Sequence, residues 1–203
     1  DVSLERGAML EPVTIATHAV DLGNIVPGKT VAISGAGTIG LLVQQITMRA
    51  GAARVFVADP MPEKREMAMR FGADWTIDPL KEDLVTVGRE HMGGRGFDTV
   101  YECSGHISAV PQTIGLAERN GTIVWAGAYH EDATFPINPY YMFSNELTIR
   151  STMLAPYVFP RSLKLLSKLD LEPMITQIVP LEDISKALAA RKTSTDIKIL
   201  VKP

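Results

Sequence analysis

The feature that most narrows the folds open to this chain is Gly35-Ala36-Gly37-Thr38-Ile39-Gly40, set between a β-branched run at 30–34 and an apolar-periodic run at 39–49. A glycine turn in that position joins a strand to a helix, and the same alternation continues along the chain. Short apolar runs at 30–34, 54–58, 75–77, 97–101, 122–126 and 147–150 read as strands, and helical periods at 39–49, 63–71, 84–91 and 108–117 separate the first five of them. Gly51, Gly72 and Gly121 mark stops or turns. Strands apolar on both faces and joined by crossover helices build a parallel sheet covered on both sides. The expected class is therefore α/β, a doubly wound, six-stranded parallel sheet.

Outside that alternation the pattern changes. A helix is expected over 9–21, with Pro12 in its first turn, where a missing amide costs nothing. After the sixth strand come helices at 161–169 and 181–191, a Pro-punctuated link between them, and a last strand at 198–201. The division that follows is a linker helix over 1–25, a sheet domain over 26–152 and a C-terminal segment over 153–203 that packs toward another domain. The opening at Asp1 with a helical pattern almost at once reads as part of a longer polypeptide.

The glycine turn carries a specific chemistry. Its first glycine permits the tight turn, the second lets backbone approach a pyrophosphate, and the third lets helix and strand pack closely. The amides and positive dipole end of the helix then receive phosphate. Asp59, 19 positions after Gly40 at the end of the second strand, is placed to accept hydrogen bonds from the ribose hydroxyls of an adenosine. A carboxylate there also repels a 2′-phosphate, which favours NAD over NADP. Lys64 and Arg65 follow closely and keep NADP open. Because ligands of such sheets lie across the carboxyl ends of the strands, Cys103, Ser104, Ala126 and Gly127 become candidates for the nicotinamide half. Cys103 reads as a small apolar strand-end residue rather than a nucleophile, since no basic neighbour adjoins it.

Composition excludes other classes. A formal charge of −3 offers no basic surface for a nucleic acid or an anionic membrane. One cysteine forms no internal disulfide, no apolar stretch is long enough to span a bilayer, and the start lacks a signal-peptide pattern, so a reducing cytoplasm is expected. His18, His91, His106 and His130 are scattered and define no metal site, although His106 falls near the expected cofactor.

Glu11-Pro12, Val26-Pro27-Gly28-Lys29-Thr30-Val31, the 35–40 turn and Phe71-Gly72-Ala73-Asp74 together resemble the medium-chain, zinc-type alcohol and polyol dehydrogenases, most of all the sorbitol- and threonine-dehydrogenase branch. The resemblance implies a GroES-like domain holding a catalytic zinc, a Rossmann domain holding NAD(H), and a tail that returns to the first domain. It assigns Gly35, Gly37 and Gly40 to the pyrophosphate turn, Thr38 and Ile39 to contacts within it, Asp59 to the ribose, Lys64 to its surroundings and Glu11 to a place at or near the zinc. It also places the zinc ligands, a Cys and a Gly-His-Glu run, upstream of the turn, where this sequence has neither. The implied reaction is oxidation of a small secondary alcohol or polyol by hydride transfer to NAD. Two other readings stand beside it: a stand-alone dinucleotide-binding module, and a zinc-free quinone or enoyl reductase of the same superfamily. A homodimer or homotetramer is expected, with 135–137 and 147–150 as edge strands and Pro139-Tyr140-Tyr141-Met142-Phe143 either at the interface or in the core.

Overall fold

A computed structural model describes residues 2–190 and 195–203. Two helices, α1 (Leu4–Ala8) and α2 (Leu10–Gly23), lead into the sheet. There follow β1 (Thr30–Ser34), α3 (Thr38–Arg49), β2 (Arg54–Ala58), α4 (Pro62–Arg70), β3 (Trp75–Ile77), α5 (Leu84–His91), β4 (Phe97–Glu102), α6 (Val110–Leu116), β5 (Ala117–Trp125), α7 (Pro139–Ser144) and β6 (Thr148–Ser151). The six strands form one sheet in the order β3-β2-β1-β4-β5-β6, with every pair parallel. That order reverses between β1 and β4, and such a switch point opens a ligand crevice at the carboxyl ends of a Rossmann sheet.

The two-residue period of the strands sorts their side chains into two cores. Val31, Ile33, Val55, Val57, Tyr101 and Val124 face one side with Val13, Ala16, Leu41, Leu42 and Ile46. Ala32, Phe56, Ala58, Val100 and Ile123 face the other, against Leu84, Ile114 and Leu116. Each core fixes the register of every strand, because a slip of one residue would exchange the two sets.

The C-terminal portion begins on the same sheet. Helix α8 (Phe159–Leu166) and the turn after it place Leu166, Leu169, Leu171 and Met174 in the first core. Side chains of α3 and α1 hold this segment by its backbone. Gln45 Nε2 donates to the Asp170 carbonyl at 3.0 Å while its Oε1 accepts from the Asp170 amide at 2.8 Å, and Arg6 Nη2 donates to the carbonyls of Leu166 and Leu169. Beyond it, β7 (Ile175–Pro180) and β8 (Lys198–Lys202) make a separate two-stranded parallel sheet, with α9 (Ile184–Ala190) between them in sequence.

The structure departs from the sequence reading in three places and gives a conformation to a fourth stretch, 139–143, that the sequence left open between interface and core. The Pro-punctuated link contains β7, because Ile175-Thr176-Gln177-Ile178-Val179 is β-prone and both prolines stand at or beyond its ends. Strand β5 starts at Ala117 rather than 122, directly after α6, so Gly121 lies within an irregular strand instead of a turn. Residues 135–137 form no strand: Pro136 removes a ladder donor, and Phe135 folds back edge-on to Trp125, with ring centroids 5.5 Å apart. Finally, 139–143 is the short helix α7, capped by Asn138 Oδ1, with Tyr141 and Met142 packed on the second core and Tyr140 and Phe143 exposed. Residue 191, the expected end of the last helix, lies outside the described residues.

Candidate dinucleotide site

The three glycines of the turn meet three different surroundings. Gly35 has φ +98°, and a Cβ there would lie 2.7 Å from the Ser104 amide nitrogen, so both conformation and contact require glycine. Gly40 packs the first turn of α3 against the turn itself, since a Cβ would stand 1.8 Å from the Gly35 carbonyl oxygen. Gly37 is unlike both: its φ is −75°, and a Cβ would meet nothing within 4 Å. Neither strain nor crowding asks for glycine at Gly37, and the open space before it lies over the amide end of α3. That helix has no acidic residue in its first turn and no side-chain cap, so its first amides are available to an anion.

Asp59 closes the other side of the turn. Its carboxylate is almost fully buried; Oδ2 accepts from the Ala36 amide at 2.8 Å and Oδ1 from the Met61 amide at 2.9 Å. Each oxygen retains a further lone-pair direction, so the group that shapes the turn can also receive ribose hydroxyls. Behind it, Arg65 donates to the Asp59 carbonyl at 2.6 Å and pairs with Asp78 at 3.5 Å. Burial alone would raise the Asp78 carboxyl, but the Leu80 amide, Lys81 and Arg65 together hold it below the ordinary carboxylate range. Arg65 is thus directed inward, and Lys64 is the cation of this pair that lines the crevice.

At the end of β4, Cys103 backs onto the first core, and its amide donates to the Ser34 carbonyl at 2.7 Å. Burial pushes its thiol well above the usual value and the Glu102 charge adds to the effect, which agrees with the reading of an unreactive strand-end residue. Together these elements border a crevice of about 480 Å³. Of the residues expected to bind cofactor, Gly35, Gly37, Asp59, Lys64, Cys103 and Ser104 line it. Ile39 packs its side chain on the core, Gly40 serves helix packing, and Ala126 and Gly127 stand against Glu102 rather than on the crevice wall, Gly127 also meeting Gly105. Thr38 turns away: its hydroxyl donates to the Ile197 carbonyl and its side chain faces a second cleft beneath α9 and β8.

Comparison with known proteins decides the family. The description "Zinc-binding dehydrogenase" matches residues 38–168. The chain is 30% identical over 98% of its length to the erythritol/L-threitol dehydrogenase of Mycolicibacterium smegmatis and 34% identical over 92% to the D-xylulose reductase of Saccharomyces cerevisiae, covering 56% and 54% of those proteins. The protein belongs to the zinc-binding dehydrogenases. Two solved structures share its fold: a zinc-binding dehydrogenase from Sinorhizobium meliloti bound to NADP (TM-score 0.94, 32% identity, 98% of this chain and 59% of that one), and the 2R,3R-butanediol dehydrogenase of Bacillus subtilis (TM-score 0.89, 29% identity, 100% and 58%). The chain spans little more than half the length of these relatives.

In this member of the family the described residues form a crevice beside the glycine turn and no metal centre. Glu11, the residue assigned to the zinc by resemblance, stands exposed in the first turn of α2, and among the described residues no three His, Cys, Asp or Glu side chains are grouped to hold a metal ion. One carboxylate does not make a tetrahedral site, so these residues do not fit a catalytic zinc by themselves. Two site features escaped sequence reasoning. Pro79 and Leu80, just after β3, extend the crevice wall, and the strand-end rule applied to β3 would have found them. The other is Glu102, a fully buried carboxylate at the end of β4, which nothing beside it in sequence marks as part of a site.

Proposed function

We propose that this chain binds the nicotinamide dinucleotide of a zinc-dependent polyol or secondary-alcohol dehydrogenase, with NAD preferred to NADP. The observation that carries the reading is Gly37, whose missing Cβ is required by no protein contact and leaves room at the amide end of α3 for a pyrophosphate. The adenosine half extends from Asp59 along Pro79 and Leu80, and the nicotinamide half toward the loops after β4 and β5. When bound, the nicotinamide accepts hydride from the alcohol carbon. The chain's own contribution is to bind and orient, supplying the proximity that hydride transfer needs. No metal-assisted step is assigned to these residues.

The preference for NAD is supported by the Asp59 carboxylate at the ribose position and by the inward commitment of Arg65. The Sinorhizobium neighbour bound to NADP makes the comparison worth measuring. Calorimetric titration with NADH and NADPH tests it: tighter NADH binding supports the reading, and equal or tighter NADPH binding overturns the preference. The same reading includes association of copies through the exposed edge strand β6, beside which Tyr140 and Phe143 are exposed. Light scattering on the eluting protein tests this, and a strict monomer at high concentration contradicts it.

A further inference from the structure

Glu102 is the last residue of β4 and fully buried, yet among the described residues it has no cationic partner. An acceptor-only group in that position needs donors. Four converge on it. Oε1 accepts from the Ser104 amide at 2.8 Å and from the Ser104 hydroxyl; Oε2 accepts from the Gly105 amide at 3.2 Å and from the Tyr129 hydroxyl. Burial, then the bond to Glu102 and its charge, push the Tyr129 phenol upward, so it remains a donor across the physiological range.

These donors come from two loops, 103–105 after β4 and 126–129 after β5. The loops close around the carboxylate so tightly that a Cβ at Gly127 would lie 2.3 Å from Glu102 Oε2 and 2.6 Å from the Gly105 amide nitrogen. The Glu102 carbonyl accepts from the Ala126 amide at 2.8 Å, and Ser104 in turn backs the Gly35 turn. One side chain therefore ties together the loops that follow β4 and β5 on one side of the switch point.

We propose that Glu102 is the positioning residue for the nicotinamide half of the cofactor, tying the loops after β4 and β5 together through Ser104, Gly105 and Tyr129. This rests on the dinucleotide reading above. The adenosine half is held elsewhere, by Asp59 and the amide end of α3, and that separation gives the test its power. A glutamine at 102 would set an amide group against backbone donors, so it cannot satisfy all four.

The experiment compares ADP-ribose, which carries everything in the cofactor except the nicotinamide ring, with NADH, by calorimetry and nicotinamide fluorescence, for the wild type, Glu102→Gln and the milder Tyr129→Phe. The wild type should bind NADH more tightly than ADP-ribose and enhance nicotinamide emission. Glu102→Gln should lower NADH affinity about tenfold or more and lose the enhancement, Tyr129→Phe should do so by about threefold, and both should keep ADP-ribose affinity within about twofold. An unchanged ratio of NADH to ADP-ribose affinity in both variants overturns the proposal, and so does parallel loss of both ligands in Tyr129→Phe, which would mark a merely structural role. Failure of the wild type to bind ADP-ribose at all would instead sink the dinucleotide reading beneath it.

Discussion

Gly37→Ala and Gly40→Ala add the same methyl group three residues apart, and the structure assigns them opposite consequences. At Gly40 the new Cβ would stand 1.8 Å from the Gly35 carbonyl oxygen, so α3 must retreat from the turn by more than an ångström before the contact becomes tolerable. Residues 40–46 of α3 are buried throughout, and displacing a packed helix costs about 3 kcal/mol by the usual scale of overpacking. For a chain of this size that lowers Tm by roughly 6–12 °C. At Gly37 the methyl meets nothing within 4 Å, φ is −75°, and exchanging Gly for Ala at an N-cap costs under about 1 kcal/mol. Gly37→Ala should therefore melt within roughly 3 °C of the wild type while NADH affinity falls at least tenfold, about 1.4 kcal/mol. Thermal melts followed by circular dichroism, paired with NADH titration, read both effects. A Gly37→Ala protein that binds NADH like the wild type would show that the open space is not where the pyrophosphate lies.

Three further outcomes are expected. Asp78→Asn keeps an acceptor for the Leu80 amide but removes the charge that draws Arg65 inward, so the NADPH-to-NADH affinity ratio should rise three- to tenfold, about 0.7–1.4 kcal/mol; adding Arg65→Ala should cancel the gain, and an unchanged ratio refutes the sequestration argument. Arg6→Ala should cost about 1–2 kcal/mol in urea unfolding, chiefly through the unmade bonds to the carbonyls of Leu166 and Leu169. Because the hydrogen bond from Arg6 holds the Glu172 carboxyl below its ordinary 4.5, the ionic part of that tie is complete above this pH and fades as pH falls through the lowered native value; the Arg6→Ala deficit should shrink in acid, and a deficit that grew would contradict the assignment. Cys103 lines the crevice but has its thiol pKa raised, so it should alkylate far more slowly with iodoacetamide at pH 8 than a free thiol, and rapid labelling of the folded protein would contradict that raised pKa.

The sheet was legible because its evidence is local and repeated. Val31, Ile33, Val55 and Val57 declare strands by composition, and the glycine turn declares the direction of the chain between them. What stayed hidden depended on contacts distant in sequence. Nothing beside Gln45 signals that its amide will grip the backbone of Asp170, and nothing in Thr38 signals that its hydroxyl will turn toward Ile197 rather than the turn it belongs to. Gly121 read as a stop because glycine usually ends a run, whereas here it sits inside an irregular β5. The site divided in the same way. Gly35, Gly37, Gly40 and Asp59 could be placed from spacing, because their roles follow from backbone geometry within one βαβ unit. Glu102 could not, because its meaning depends on Tyr129 and Gly105 arriving from two loops that only the folded sheet brings together.

The measurement that tests the central claim most directly is a titration of the purified chain with NADH, following energy transfer from tryptophan to the nicotinamide. Trp75 on β3 and Trp125 at the end of β5 are the two donors, placed on opposite sides of the switch point. The structure predicts saturable quenching of tryptophan emission with sensitised nicotinamide emission, competed by ADP-ribose and shifted to at least tenfold higher NADH concentration by Gly37→Ala. An absence of saturable transfer from a folded protein would contradict the dinucleotide assignment and leave the glycine turn with a structural role only.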